Sequence, residues 1–262
     1  MVARADISRT SGVPLYLQIR DRVLALIAER GLSPGDPLPS ETELQETFAV
    51  SRATIRHTLA LLERDGSVER HQGKGTYVAL PRLARTLPEL TSFSEHLAEQ
   101  RLRSSSRLLA FERLEPGERT RRPIVEDEPD LPALFGASAV VRFARLRLAN
   151  EAPIGIHVTG TPADVAIDIG LNERRLREDG RFSFYSALEA NGHRLDAAEE
   201  HLVARAAGPG EARLLGVSPR APVMSVLRLT RDTSGALVEG VRAVYLGDKY
   251  DYVVQLERRA RR

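Results

Sequence analysis

The chain has 262 residues, of which 42% are apolar, 28% charged and 5% aromatic, with a formal net charge of +2 and no cysteine. This length and apolar content suffice for two ordinary cores, while the lack of cysteine excludes disulfides and thiolate metal sites and fits a reducing cytoplasm. No apolar run approaches the roughly 18 residues of a membrane span and the N-terminus lacks the apolar core of a signal peptide, so a cytoplasmic location is expected.

Leu15, Ile19, Val23, Leu26 and Ile27 keep helical spacing, and Pro34-Gly35-Asp36-Pro37 ends that segment. Ser40 and Glu43 stand at capping-box spacing, which predicts a helix from Glu41 to about Thr47. After the turn Phe48-Ala49-Val50, Ser51 is placed to cap a second helix that Gly66 ends. Leu44, Phe48, Ile55, Leu59 and Leu62 supply the small core of a helix-turn-helix. The front of the second helix carries Arg52, Thr54, Arg56 and His57, and no acid occurs from Ser51 to Leu62, so this end offers donors to phosphates and base edges.

Val68-Glu69-Arg70 and Thr76-Tyr77-Val78 are predicted strands around His71-Gln72-Gly73-Lys74-Gly75, a turn whose glycines permit positive φ and close approach to a phosphate backbone. A three-helix domain with a β-wing over residues 13 to 80 follows. Residues 1 to 80 hold ten lysines and arginines against ten acids. DNA affinity is therefore expected from a local patch at Arg52, Arg56, Arg70 and Lys74, with the acids on faces turned away. The basic C-terminus, Glu257 to Arg262, reads as a solvated tail.

Pro81 and Pro88 bracket an extended linker over residues 81 to 88, and a second domain is expected over 89 to 257. A short helix is predicted at 94 to 99, strands at 107 to 114, 140 to 149, 154 to 161, 198 to 206, 223 to 232, 237 to 246 and 252 to 256, and helices at 183 to 190 and 210 to 215. Short turns between successive strands predict an antiparallel sheet and an α+β class. Residues 116 to 130, charged and rich in proline, are expected to be a surface loop without chemistry.

Arg145 and Arg147, two apart on a strand, point to one face and Leu146 and Leu148 to the other, which suits either an anion clamp or a solvated sheet face. Ser183 is placed to cap a helix, either simply as a cap or as part of a phosphate or carboxylate site. His157 on a strand is structural or a ligand contact; facing a pocket, it adds a group titrating near neutrality.

Leu38-Pro39-Ser40-Glu41, then Ser51-Arg52-x-Thr54-Ile55-Arg56-x-x-Leu59, then Gly73-x-Gly75-Thr76 resemble the DNA-binding domain of GntR-family bacterial transcription regulators, over essentially all of residues 13 to 80. The resemblance implies phosphate or base contacts from Ser51, Arg52, Thr54 and Arg56 and a minor-groove contact from the wing around Gly73, with His57, Gln72 and Lys74 as further candidates. Thr42 stands where many members carry arginine.

Segments at 90 to 95, 145 to 154, 183 to 185, 211 to 217 and 238 to 250 resemble the UTRA effector-binding domain of the HutC subfamily. That likeness implies a chorismate-lyase-like antiparallel sheet with flanking helices, a homodimer, and a small-molecule effector that alters affinity for an operator, usually to relieve repression. The implied pocket comprises Thr91, Arg145, Arg147, His157, Ser183, Tyr185, Glu239 and Tyr245, with His157 where related domains commonly have glutamate. The arginines point to an anionic effector. Neither a cofactor nor a metal is expected.

Two other classes compete. An enzyme on the lyase-like fold finds no cysteine, no placeable Ser/His/Asp set and six scattered histidines. An all-helical, metal-binding C-terminal domain, as in another branch of the same family, is opposed by the alternating segments at 140 to 149 and 223 to 232.

Overall fold

The computed structural model describes residues 7, 11–71, 75–79, 83–87, 90–254 and 256, and the chain divides into two compact units, Met1–Arg82 and Leu83–Arg262. In the first unit, α1 (Leu15–Glu29), α2 (Glu41–Phe48) and α3 (Arg52–Arg64) precede a hairpin of β1 (Val68–His71) and β2 (Gly75–Val78). Ser40 accepts from the Glu43 amide and Glu43 accepts from the Ser40 amide, closing the capping box of α2. Ala49 takes the left-handed conformation that turns the chain, and Ser51 caps α3 by accepting from the Thr54 amide. Ile19, Val23, Leu26, Leu44, Phe48, Ile55, Leu59, Leu62, Val68 and Val78 form one core. Packing α3 between α1 and α2 leaves its front outside.

The second unit begins with β3 (Leu83–Leu87), which lies inside the expected linker. It is followed by α4 (Phe93–Glu99), β4 (Ser104–Leu114), α5 (Leu131–Leu134), β5 (Val140–Ala149), β6 (Ala152–Pro162), α6 (Ala163–Asp168), α7 (Glu173–Glu178), α8 (Phe184–Ala190), β7 (Leu195–Ala206), α9 (Pro209–Leu215), β8 (Pro222–Asp232), β9 (Leu237–Leu246) and β10 (Tyr250–Val254). Six strands make an antiparallel sheet in the order β4-β5-β6-β9-β8-β7, while β3 and β10 pair in parallel as a separate ribbon. A six-stranded sheet removes the all-helical alternative.

Period-two alternation divides this sheet into two chemistries. Ala144, Leu146, Ile156, Val158, Val244 and Leu246 face an apolar core closed by Ala212 and Leu215 of α9. The residues between them, among them Arg145, Arg147, His157 and Tyr245, face the other way. On that second side Phe143 joins Phe182, Phe184, Tyr185 and Leu188 in a further core.

The proline-rich segment over 116 to 130 is not chemically idle, contrary to the expectation. Glu128 holds the guanidinium of Arg142, which is fully buried, through both carboxylate oxygens, and Glu112 takes a third bond at 3.0 Å. Its neighbour Asp127 accepts from Ser225 at 2.6 Å and from Arg205 at 2.8 Å, and lies 3.5 Å from Arg242. Although burial works to raise the Asp127 pKa, these bonds and charges hold it below the usual carboxylate range. Two consecutive acids thereby tie the loop to β5, β7, β8 and β9.

Removing one partner of a buried pair strands the other charge, so Glu128→Ala is expected to cost about 3–5 kcal/mol in urea unfolding. Glu178→Ala, which deletes an exposed i,i+4 pair with Arg174, should stay within about 0.5 kcal/mol of the parent. Similar losses in the two variants would contradict this account.

Candidate functional site

Two surfaces carry the predicted site residues. On the first unit, Arg52 and Arg56 are exposed at the front of α3, the Arg52 side chain to 71%. Ser51 and Thr54 pair their hydroxyls at 2.9 Å as part of the cap, and exposed His57 meets the Tyr16 ring edge-on at 4.5 Å. Gln72, Gly73 and Lys74 lie outside the described residues.

Sequence reasoning placed the acids on faces turned away from this patch; Glu41 is an exception. One carboxylate oxygen lies 3.4 Å from Arg52 Nε and the other accepts from Arg70, joining α2, α3 and β1. An acid in the first turn of α2 is favoured by the helix dipole, and this position also brings it between two guanidiniums. The Arg52 side of the contact is exposed, where ion pairs are worth roughly 0–1 kcal/mol, so a phosphate can replace it.

On the second unit, Arg145, Arg147, His157, Ser183, Tyr185, Glu239 and Tyr245 line one pocket. Of the eight residues expected there, Thr91 falls outside the lining; its carbonyl accepts from Arg228 Nη1 at 3.4 Å, and Ser92 and Phe93 line the pocket beside it. Arg228 and Thr159 are lining residues that sequence reasoning missed. The available signal for Arg228 was an arginine set between Leu227 and Leu229 on the predicted strand.

Arg145 donates from Nη1 to the Phe182 carbonyl at 2.9 Å, but its Nε has no partner. Arg147 lies 4.0 Å from the Phe93 ring centre, and neither its Nε nor its Nη1 finds an acceptor, although the side chain is buried. A cation–π contact compensates only part of the lost hydration. Burial pulls the Arg145 pKa down to about 10, against the attraction of Glu239, so the group stays charged near neutrality. For Arg147 burial and then the charge of Arg145 push the same way.

Glu239 is the acid of the pocket. It accepts from Thr230 at 2.9 Å and from Tyr185 at 3.1 Å, while the Tyr185 oxygen in turn accepts from Arg228 at 3.2 Å. Burial raises the Glu239 pKa, and these donors together with Arg145 oppose the rise. The lining thus holds three guanidiniums against one carboxylate.

His157 bonds through Nε2 to the Tyr245 hydroxyl at 2.8 Å. The Tyr245 ring passes over Gly155, where an added Cβ would come within 2.8 Å of it, so the glycine makes room for the ring that holds the histidine. The expected titration near neutrality does not survive: burial first, then Arg147, Arg145 and Arg85, lower the His157 pKa well below its ordinary value. Among the described residues no group of three or more His, Cys, Asp or Glu is arranged to hold a metal ion.

Residues 15–78 match the profile of bacterial regulatory proteins of the gntR family, and residues 99–251 match that of the UTRA domain. The chain is similar to the HTH-type transcriptional repressor NagR of Bacillus subtilis (strain 168), at 32% identity over 97% of this chain and 99% of that protein. It is also similar to the mannosyl-D-glycerate transport/metabolism system repressor MngR of Escherichia coli (strain K12), at 28% identity over 95% and 98%. The crystal structure of PhnF from Mycobacterium smegmatis aligns with a TM-score of 0.58 and 26% identity, covering 92% of this chain and 100% of that one.

A histidine kept neutral in the fold takes up a proton only on unfolding, below about pH 6.5. His157 and His96, whose pKa burial and Arg85 also lower, should therefore withdraw stability as pH falls through that value and restore it as pH rises. Thermal melts between pH 7 and pH 5 are expected to shift downward in the parent and less steeply in His157→Gln; parallel profiles would show that His157 is charged in the fold.

Proposed function

The chain belongs to the bacterial regulatory proteins of the gntR family, in the HutC-type branch that joins a winged helix-turn-helix to a UTRA effector-binding domain, and on that premise we propose that it is an operator-binding repressor released by a small anion. The observation that carries the anion is Arg147, a buried guanidinium facing a pocket with two nitrogens unpartnered. A buried cation without hydrogen-bond partners is costly, and a carboxylate or phosphate between Arg145 and Arg147 supplies acceptors and neutralises the surplus charge together. Glu239, Tyr185 and Thr159 line the same pocket and offer polar contacts to the remainder of such a ligand.

On the DNA side, the reading rests on the open front of α3. The N-terminal end of this helix enters the major groove, Arg52 and Arg56 supply guanidiniums to phosphate oxygens or guanine edges, and Thr54 and the Ser51 cap fix the helix against the backbone. His57, Gln72, Gly73 and Lys74 extend the contact. The protein acts in the cytoplasm as a homodimer on a near-palindromic site, and effector binding changes the match between its two DNA-binding domains and the half-sites. It performs no catalysis. The relatives NagR and MngR are both repressors, which favours repression over activation.

Arg52→Ala is expected to weaken operator binding by about 1–3 kcal/mol in gel-shift titrations. A base contact loses affinity mainly on the specific duplex, and a phosphate contact loses it equally on random duplex; unchanged binding to both refutes the assignment. Operators come from selection in a random duplex pool, and effectors from metabolites that release the complex. For an anionic effector so found, Arg147→Ala should weaken binding roughly 10- to 100-fold in calorimetry while operator affinity without effector is kept. Tight binding of a cation, undiminished in Arg145→Ala, would overturn the anion reading.

A further inference from the structure

A second line of buried charge leads away from the pocket. Arg228, one of the lining residues, directs its Nε to Oε1 of Glu200 on β7, and the same Oε1 lies 3.4 Å from Nη2 of Arg85 on β3. All three side chains are at most 10% exposed. One carboxylate oxygen is therefore shared between an arginine of the pocket and an arginine outside it. The sharing leaves Glu200 Oε2 and Arg85 Nε buried without hydrogen-bond partners. These are the two atoms from which the missing second bond of a bidentate arginine–carboxylate pair is made.

The place of Arg85 in the chain gives this arrangement its meaning. It sits on β3, the first element after Arg82, where the chain passes from one unit to the other, and β3 is held by its parallel pairing with β10. Around Arg85 stand the hydroxyl-bearing rings of Tyr245, Tyr250 and Tyr252, the last at 5.9 Å from the guanidinium.

We propose that Glu200 is the positioning residue that passes the state of the pocket to β3. Glu200 is divided between Arg228 and Arg85. An anion bound at Arg145, Arg147 and Arg228 draws Arg228 to itself and repels the nearby carboxylate, both effects being strong away from water. Glu200 then turns wholly to Arg85, the two orphan atoms pair, and a two-pronged bond fastens the strand through which the chain enters the second unit. Effector occupancy thus becomes a change in the order of β3 and β10. This inference rests on the anion reading above, because a neutral or cationic ligand would not draw Arg228 away.

Amide hydrogen exchange on the full chain tests it, with sulfate as the dianionic probe against chloride at matched ionic strength, and with sulfate binding followed separately by calorimetry. In the parent, sulfate should slow exchange over residues 83–87 and 250–254 by about tenfold, the size of one added charge-assisted hydrogen bond. Glu200→Gln should bind sulfate as well as the parent or better, yet show no slowing. Arg85→Lys keeps the charge without the planar fork and should behave in the same way, which separates this coupling from simple charge balance. Slowing in either variant equal to the parent's, or sulfate binding to the parent without slowing, overturns the inference alone. Failure of sulfate to bind the parent overturns the anion reading and this inference with it.

Discussion

Guanidinium groups kept out of water with too few carboxylates to match them are the constraint around which the second unit is arranged. Arg145, Arg147 and Arg228 face the pocket, and Glu239 is the one acid that lines it with them. Every strong polar contact nearby follows from managing that surplus. Tyr185 and Thr230 spend their protons on Glu239, keeping it available as a counter-charge, and the Phe182 carbonyl and the Phe93 ring cover faces of Arg145 and Arg147 that no acid reaches. Burial keeps His157 uncharged, and the imbalance adds to it, since a further cation there would be repelled by Arg147, Arg145 and Arg85. A pocket held in this condition is stable because the surrounding cores support it, and its unmatched guanidiniums are what the proposed anionic effector would neutralise.

The first unit solves the opposite problem. On the proposed DNA-binding role, the arginines at the front of α3 stay in water until a polyanion arrives, and Glu41 restrains Arg52 only weakly. Glu41 lies 3.4 Å from Arg52 and leaves that side chain largely exposed, a weak contact that the proposed DNA contact would replace. The same acid lowers the local positive potential, which on that reading limits binding to arbitrary duplex. In the proposed complex, specific recognition depends on contacts that compensate for displacing Glu41, and base edges together with phosphates offer more of these than phosphates alone.

Legibility in the sequence followed the range of the interactions. The caps at Ser40 and Ser51, the helical spacing from Leu15 to Ile27 and the alternation in β5, β6, β8 and β9 depend on neighbours two to four positions away, and each was readable. The common face of Arg145 and Arg147 came from that same periodicity. The pairing of Glu41 with Arg70, and of Glu200 with Arg85 and Arg228, links residues far apart in the chain, and nothing local marks those acids as different from solvated ones. Arg228 was missed because nothing local separates it from Arg231, the other arginine of its strand, and α5, α6 and α7 because four to six residues are too few to show a helical period. Thr91 was drawn in by its place in a family-like segment, but it meets Arg228 through its backbone, which carries no residue signature.

The acids at 127 and 128 have a kinetic consequence. Asp127 meets Ser225 across 98 positions of sequence and Arg205 across 78, and Glu128 meets Arg142 across 14. Each long bond waits for the strand that carries its partner, β8 for Ser225 and β7 for Arg205, so the segment gains this stabilisation only when distant parts of the chain have come together. Interactions absent from the transition state slow the escape from the native basin without hastening entry into it. Contacts that form that late act on the unfolding rate, so changes at these two positions are expected to alter the lifetime of the folded effector domain while leaving the pocket and the recognition helix untouched.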